Sequence, residues 1–271
     1  MIAPPSYQCA LITGASAGLG EEFARQLAPQ CRRMVLVARR KDRLLDLEDA
    51  LRELNPALEV GSLQVDLADA GARRDMVQRL AGTEWTPDLL VNNAGLGDYG
   101  EFVSADWDKL HRMIRVNVTA LTHMVHAFLP AMLGQERGAI VNLSSLAADL
   151  PIPDFGVYAA TKAYVTSFSE ALRLEVREKG VSVLAVCPGP VKTEFGTVAN
   201  RGEEGPEQGV REWFYEDREA VVAESLRALE MDRARVYPGW KIALAAAAIS
   251  LLPIAVIRLL MSNRPRQVAE N

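Results

Sequence analysis

The chain has 271 residues, of which 49% are hydrophobic and 24% are charged, and this composition favours one globular domain with a sizeable core. Its formal net charge of −5 provides no basic face for a duplex, so we expect no nucleic-acid partner. Three widely spaced cysteines predict neither a disulfide framework nor a metal site.

The N-terminus, Met1 to Tyr7, lacks a basic region followed by an apolar stretch. It therefore shows no pattern of a secretory signal, and we expect a cytoplasmic protein. The cysteines are then expected to be small buried hydrophobes in a reducing compartment.

Short apolar runs alternate with longer amphipathic runs, which predicts repeated βαβ units and a parallel sheet. The predicted strands are Cys9–Thr13, Met34–Ala38, Leu58–Val65, Leu89–Asn92, Ala139–Ser144, Val181–Cys187 and Arg235–Tyr237. The predicted helices are Gly20–Ala28, Lys41–Leu54, Asp69–Leu80, Asp106–Leu133 and Phe155–Lys179. We expect a three-layer, doubly wound, Rossmann-type α/β fold in a single domain, with its ligand outside the carboxyl ends of the strands.

A glycine-rich loop directly follows the first predicted strand. Gly14 permits a tight turn, Gly18 lets the backbone approach a pyrophosphate, and Gly20 allows close contact between helix and strand. The next helix offers unpaired N–H groups and the positive end of its dipole to the phosphates. In this position the loop predicts a dinucleotide site.

The tip of the second predicted strand distinguishes the two dinucleotides. A carboxylate there would accept hydrogen bonds from a free ribose 2′-hydroxyl, whereas an arginine suits a 2′-phosphate. This chain has Ala38 followed by Arg39 and Arg40, with no acid at the tip. The pattern favours NADP(H), and the alternative is a pair of solvated arginines at a helix entry.

Tyr158 and Lys162 lie one helical turn apart and are the candidates for acid–base chemistry. A tyrosine whose pKa is near ~10 is a poor proton donor at neutral pH. Lowering that pKa by about three units requires about 4 kcal/mol, which a cation ~4 Å away supplies at an effective dielectric constant near 20. The alternative is a packed ring beside a solvated amine.

Three further polar features support the catalytic interpretation. Ser144 and Ser145 end a buried strand, and Asn92–Gly95 ends the strand before it, both at the edge where ligands bind. Asn117 lies inside a long predicted helix, where asparagine is unfavourable unless its amide has a specific role.

The motifs TGASAGLG, NNAG, Asn117, Ser144-Ser145, YAATK and Pro188–Thr193, taken in order, resemble the single-domain branch of the short-chain dehydrogenase/reductases from about Tyr7 to about Thr193. The resemblance implies interconversion of a carbonyl and an alcohol by hydride transfer, with Tyr158 as the acid/base. It implies that Lys162 tunes the tyrosine and binds the nicotinamide ribose, and that Asn117 holds a water in the proton relay. Ser145, thirteen positions before Tyr158, would hydrogen-bond the substrate oxygen.

The same resemblance implies a set of cofactor contacts and a homodimer or homotetramer. Asp66 would lie at the adenine, Asn93 near the adenine ribose and Thr193 at the carboxamide. The full set is Gly14, Ser16, Gly18, Leu19, Gly20, Arg39, Arg40, Asp66, Leu67, Asn93, Ala94, Gly95, Tyr158, Lys162, Pro188, Gly189, Val191 and Thr193.

Two segments lie outside the shared motifs. The polar stretch that begins at Glu194 and runs to about residue 216 is the expected substrate lid, and its alternative is a disordered surface loop. Its aromatic end, Trp213-Phe214-Tyr215, suggests an apolar or bulky substrate. We expect residues 1–238 to form the catalytic domain and residues 239–271 an apolar helix with a polar tail.

The segment from Trp240 to Met261 is apolar on every side, which a solvent-facing helix cannot be. Its uncharged run from Ile242 to Ile257 is shorter than the ~20 residues of a bilayer span and contains Pro253. We expect this helix to pack onto the body near the substrate entrance or against another subunit. Peripheral membrane contact and a membrane span remain the alternatives.

Three functions therefore remain open. The first is a soluble NADP(H)-dependent carbonyl reductase or alcohol dehydrogenase that acts on an apolar small molecule. The second is a membrane-associated reductase of lipid-like carbonyls of the acyl, sterol or retinoid types. The third is a non-catalytic NADP(H)-binding protein.

Overall fold

The computed structural model describes residues 6–200 and 212–263, which fold around one seven-stranded parallel sheet. The strands are β1 (Tyr7–Thr13), β2 (Cys31–Ala38), β3 (Glu59–Gln64), β4 (Leu89–Asn92), β5 (Gly138–Leu143), β6 (Val181–Val186) and β7 (Arg235–Val236). Their order is β3-β2-β1-β4-β5-β6-β7. The direction of winding reverses between β1 and β4, which opens a crevice at the carboxyl ends of these strands.

Helices cover both faces of the sheet. They are α1 (Gly18–Leu27), α2 (Lys41–Leu54), α3 (Ala70–Leu80), α4 (Trp107–Ile114), α5 (Leu121–Gly134), α6 (Gly156–Val176), α7 (Glu194–Ala199), α8 (Arg218–Glu230), α9 (Trp240–Leu251) and α10 (Ile254–Ser262). One core contains buried residues of α1, α2 and α8, and the other contains residues of α3, α5 and α6. Neighbouring residues of β1 alternate between the two cores, which explains why its apolar run does not alternate in the sequence. The predicted three-layer α/β fold is confirmed.

The structure differs from the sequence predictions in the middle of the longest helix. Asp106 caps the helix by accepting a hydrogen bond from the N–H of Asp108 at 2.8 Å, so the helix proper begins one residue later than predicted. Between α4 and α5 a π-helical turn, Arg115–Ala120, interrupts the α-helical pattern. Taken together, α4, the π-helical turn and α5 (Trp107–Gly134) are long and apolar enough to cross a membrane. However, Val125 and Phe128 of this helix are buried in the protein core.

Two helices were missed from the sequence. α8 carries a wide buried face that includes Val222 and Leu226, but its charged flanks hide that face in the sequence. α7 occupies the first six residues of the expected lid, whereas residues 201–211 of that lid lie outside the described residues.

The prediction of a single helix from Trp240 to Met261 is wrong. α9 and α10 form a pair bent by 118°, which we call the C-terminal elbow. The bend follows from Pro253, because proline lacks an N–H group and drives the residue before it, Leu252, out of the helical conformation.

The C-terminal elbow packs onto the body through only a few residues. Ile242, Ala246 and Ile257 are buried, whereas most other large side chains of the elbow are exposed. Ile242 lies against Gly189, since a Cβ atom built on that glycine would stand 2.4 Å from the Cδ1 of the isoleucine. α9 therefore covers the body next to one of the expected cofactor contacts, while its outer face remains apolar and open.

Candidate active site

A cavity of about 490 Å³ lies in the crevice at the carboxyl ends of the strands. With the exceptions of Gly20 and Asn117, every residue that the sequence proposes for cofactor binding or catalysis lines this cavity. Gly20 lies beneath the phosphate loop, and Asn117 is buried behind Gly95, which itself lines the cavity. The cavity thus brings together residues that are up to about 180 positions apart in the chain.

The phosphate loop depends on glycine at three points. Gly14 and Gly18 have φ angles of 68° and 58°, in the left-handed region that side chains disfavour. A Cβ atom on Gly20 would lie 2.3 Å from the carbonyl oxygen of Gly14, so the first turn of α1 packs directly beneath the loop. The loop therefore presents bare backbone to the cavity, as the approach of a pyrophosphate requires.

Thr13 and Asn93 fix this loop to β4. The Thr13 hydroxyl accepts hydrogen bonds from the backbone N–H groups of Asn93 and Ala94 at 3.0 and 3.1 Å. The Asn93 side-chain amide donates to the carbonyls of Thr13 and Gly14 at 3.0 and 3.2 Å. The side chain of Asn93 thus braces the loop, a structural role that the sequence did not suggest.

Charged side chains line the cavity beside the phosphate loop. Arg39 lines the cavity and is exposed. Arg40 donates from Nε to the hydroxyl of Ser16 at 3.3 Å and from a terminal nitrogen to Glu194 at 2.7 Å. Asp66, the expected adenine contact, accepts from Arg112 at 2.5 Å.

Tyr158 lies on α6 within a cluster of aromatic rings. Its ring stacks on Phe155, with ring centroids 4.2 Å apart, and meets the ring of Phe195 at 5.5 Å. Tyr158 is only 7% exposed, so its ring orientation is fixed by packing. The Nζ atom of Lys162 lies 5.7 Å from the centre of this ring, which confines the cation and the phenol to one small region.

Lys162 is a buried amine with one backbone partner. Its Nζ donates to the carbonyl of Leu143, at the end of β5, at 2.6 Å. Burial lowers the pKa of Lys162 to about 8. A Cβ atom on Gly95 would lie 3.5 Å from this Nζ, so the glycine leaves the space beside the amine that a ligand can enter.

The two serines after β5 have different surroundings. The Ser144 hydroxyl donates to the carbonyl of Lys162 at 2.8 Å and lies 2.6 Å from the hydroxyl of Thr166, so it is committed to holding α6. The Ser145 hydroxyl accepts from the N–H of Ala147 at 3.1 Å and so caps the short helical turn that follows. No acceptor for its own proton is present among residues 6–200 and 212–263, which favours Ser145 over Ser144 as the substrate contact.

Asn117 sits within the π-helical turn between α4 and α5. Its side-chain oxygen accepts from the N–H of Leu96 at 2.8 Å, and its amide donates to the carbonyl of Leu96 at 2.9 Å. The amide also donates to the Thr161 hydroxyl at 3.0 Å. Asn117 therefore ties the segment after β4 to α6 and is 1% exposed, which explains an asparagine inside a helix.

A polar network that the sequence did not reveal supports the turn after Ser145. The Tyr237 hydroxyl donates to Asp149 at 2.7 Å, and Arg235 donates to that hydroxyl at 2.6 Å and to Glu170 at 2.8 Å. Burial raises the pKa of Tyr237 well above its ordinary range. Asp149 and Tyr237 are 88 positions apart, and no local pattern signals such a contact.

The cavity has two halves of different chemistry. The cofactor half contains the phosphate loop and the charged side chains that line the cavity in the described residues, namely Arg39, Arg40, Asp66, Arg112, Lys162 and Glu194. The substrate half lies beyond Tyr158 and is mainly apolar. It is lined by Leu96, Tyr99, Leu146, Ala147, Leu150, Ile152, Phe155, Phe195 and Ala199, and the buried amide side chain of Asn200 adds one polar, uncharged group.

The chain is similar to many known proteins. A model of the short chain dehydrogenase family matches residues 8–204. Sulfoacetaldehyde reductase 2 of Chromohalobacter salexigens is 35% identical over 81% of this chain and 85% of its own.

Two solved structures match almost the whole chain. A short-chain dehydrogenase from Sphingobium yanoikuyae in complex with NADPH is 30% identical, with a TM-score of 0.79 over 97% of this chain and 98% of its own. A bulky-bulky ketone specific alcohol dehydrogenase from Comamonas testosteroni is 28% identical, with a TM-score of 0.76 over 98% of each chain. The similarity therefore extends beyond the family motifs and includes the length of the C-terminal elbow.

Proposed function

Because the chain belongs to the short-chain dehydrogenase/reductase family, we propose that it is an NADP(H)-dependent oxidoreductase that interconverts a bulky, apolar carbonyl compound and the corresponding alcohol. One observation carries the proposal. Tyr158, Lys162 and Ser145 line a single cavity that has a glycine-built cradle at one end and apolar side chains at the other. This arrangement suits a dinucleotide beside an uncharged substrate.

The residues of the cofactor half fit NADP(H). The cradle needs Gly14 and Gly18 because their backbone conformations exclude ordinary side chains. Ser16, Arg39 and Arg40 supply a hydroxyl and two cations for a 2′-phosphate, with no acid at the tip of β2 to repel it. The NADPH bound to the Sphingobium relative supports the same choice here. When bound, the cofactor supplies the hydride or accepts it.

Three side chains carry out the catalytic steps, namely Tyr158, Ser145 and Lys162. In reduction, Tyr158 donates a proton to the carbonyl oxygen as negative charge grows on that atom, and Ser145 stabilises the charge with a hydrogen bond. In oxidation, Tyr158 accepts the alcohol proton. Lys162, when protonated, favours the phenolate form of Tyr158 and holds the nicotinamide ribose. Both amide hydrogens of Asn117 already make hydrogen bonds. We therefore assign the relay water as a donor to an oxygen of Asn117, either its backbone carbonyl or the second lone pair of its side-chain oxygen.

The substrate half supports an uncharged substrate. The described residues place no basic side chain there, and burying an unpaired carboxylate or sulfonate would be costly. The Chromohalobacter relative is named for sulfoacetaldehyde, which carries a sulfonate, whereas the Comamonas relative is named for bulky ketones. The apolar lining favours the second substrate class.

A screen of NADPH consumption tests this function. Aryl alkyl ketones with two large substituents should be reduced with at least a tenfold higher kcat/KM than sulfoacetaldehyde, because only the latter buries a charge. Equal turnover of sulfoacetaldehyde would refute the substrate class.

A double variant tests the cofactor choice. Arg39→Asp combined with Arg40→Leu should weaken NADPH binding about tenfold or more and leave NADH binding unchanged. Tighter binding of NADH than of NADPH by the unmodified protein would refute the cofactor choice.

A second candidate is a membrane-associated reductase of lipid-like carbonyls, and the C-terminal elbow favours it. Leu244, Leu251 and Leu259 expose apolar surface, while the basic residues Lys241 and Arg258 flank the uncharged run. Flotation with anionic and with neutral vesicles tests membrane contact. Light scattering at several protein concentrations tests the other expectation, a homodimer or homotetramer that covers the same surface.

A further inference from the structure

Glu194 shares its carboxylate between two arginines of the cofactor half. One oxygen accepts from Arg40 at 2.7 Å, and the other lies 3.5 Å from a terminal nitrogen of Arg43. Both arginines come from the start of α2, whereas Glu194 is the first residue of α7. The side chains are about half exposed, so a ligand from solvent can reach them.

The same carboxylate borders the proposed 2′-phosphate position. Arg40 contacts Glu194 with one terminal nitrogen and contacts Ser16 with its Nε and its other terminal nitrogen. Glu194, Ser16, Arg39 and Arg40 all line the one cavity. A phosphate held by Ser16 and Arg40 would therefore place its charge beside the Glu194 carboxylate.

The Glu194 carboxylate and the 2′-phosphate are both negatively charged, so they compete for the same arginine. The hydrogen bond from Arg40 is the largest cause that holds the pKa of Glu194 below its ordinary value, so the group is ionised at neutral pH. Two anions within a few ångströms repel each other, and each gains most from the arginines when the other is away. NAD(H) has no 2′-phosphate and does not enter this competition.

We propose that Glu194, whose second partner is Arg43, is a specificity-determining residue that competes with the 2′-phosphate of NADP(H) for the guanidinium group of Arg40. The inference rests on the proposed function, because it takes NADP(H) as the cofactor. Glu194 holds the two arginines when the phosphate is absent and weakens the preference for NADP(H). It thereby sets how readily NADP(H) leaves.

The contact also links the phosphate position to the catalytic tyrosine. Thr193 caps α7 and lies against Gly18 of the phosphate loop, with its Cγ2 atom 3.1 Å from where a glycine Cβ would stand. Phe195, the next residue after Glu194, packs against the ring of Tyr158. Glu194 therefore lies between a contact of the phosphate loop and a contact of Tyr158, where α7 borders both halves of the cavity.

The experiment measures dissociation constants of NADPH and NADH for the wild type and for Glu194→Gln. Glutamine keeps the size of the side chain but removes its charge. NADPH should bind about tenfold more tightly to the variant, and NADH should change by less than about twofold. The matched control is Glu212→Gln, which removes the same charge from an exposed glutamate 3.6 Å from Lys192 and away from the cavity lining. It should leave both constants unchanged.

Binding of 2′,5′-ADP and of 5′-AMP gives a second measurement, since these two probes differ only in the 2′-phosphate. Only 2′,5′-ADP should bind Glu194→Gln more tightly. Weaker NADPH binding by the variant would overturn the proposal, because the ion pair would then close over the cofactor instead of competing with it. An equal gain for NADH would also overturn it. If the wild type itself prefers NADH, the proposed cofactor fails; if the wild type prefers NADPH but the variant shows no gain, only the role of Glu194 fails.

Discussion

The two halves of the cavity are built in different ways. The phosphate loop of the cofactor half presents backbone to its ligand, and it is held by glycines that the turn requires and by hydrogen bonds such as those of Thr13 and Asn93. The substrate half consists mainly of apolar side chains, including Tyr99, Leu150 and Phe195, from segments far apart in the chain. A backbone-built site constrains its ligand more tightly than a wall of side chains, so substitutions should divide cleanly between the two halves.

The largest expected effect is at the border of the halves. Tyr158→Phe keeps the ring between Phe155 and Phe195 but removes the transferable proton, so kcat should fall about a thousandfold. The dissociation constant of NADPH should change by less than about threefold, because the ring stays in place and the phosphate loop and its arginines are unchanged. Tyr164→Phe, on the exposed side of the same helix, is the control and should retain normal turnover. Near-normal kcat in Tyr158→Phe would show that another group transfers the proton.

The second effect is a dependence of stability on pH. Lys162 has a pKa of about 8 in the folded protein, against an ordinary value of 10.5. Between these two values the unfolded chain holds more protons than the folded chain at this position, so folding is favoured as the pH rises. Urea unfolding of the cofactor-free protein should show the wild type gaining about 3 kcal/mol relative to Lys162→Met from about pH 7 to about pH 11. A constant difference across this range would show that burial does not suppress the charge.

The third effect separates the two faces of α9. Ile242 is fully buried against Gly189, so Ile242→Ala should lower the free energy of unfolding by about 2–3 kcal/mol. Leu244→Ala, on the same helix but 64% exposed, should change it by less than about 0.5 kcal/mol. Denaturant titrations of the two variants test the difference. A large loss in Leu244→Ala would mean that a partner covers this face in solution.

The smallest effect tests the tolerance of the backbone-built half. A Cβ atom on Gly20 would overlap the carbonyl of Gly14, so Gly20→Ala should move the loop and weaken NADPH binding about tenfold. Gly134→Ala is the control, because nothing lies within 4 Å of its added methyl group. Calorimetric titration with NADPH distinguishes the two variants. Normal binding by Gly20→Ala would show that the loop adapts freely.

The cofactor half could be predicted from the sequence because its chemistry is local. The glycine loop, the arginines after β2 and the tyrosine–lysine pair each occupy a short stretch whose spacing defines its geometry. The strands were predictable for the same reason, since runs of buried residues mark them even where the boundaries shifted by two or three residues.

Other features depend on contacts that a sequence does not display. The use of the Asn93 amide as a brace and the ion pairs of Glu194 join residues about 80 and 150 positions apart. The bend at Pro253 had a local signal, the proline itself, but the uniform apolar composition around it suggested a continuous helix. The buried face of α8 was obscured because charged residues surround it.

The contact between Ile242 and Gly189 has a consequence for how such enzymes diversify. The tail inserts a branched side chain into a space that exists only because the motif after β6 has no side chain at that point. Exchange of the C-terminal elbow between relatives should therefore succeed only when the residues at positions 189 and 242 come from the same parent. A crossover between Gly189 and Ile242 should yield functional chimeras far less often than a crossover outside this interval, which keeps both residues from one parent.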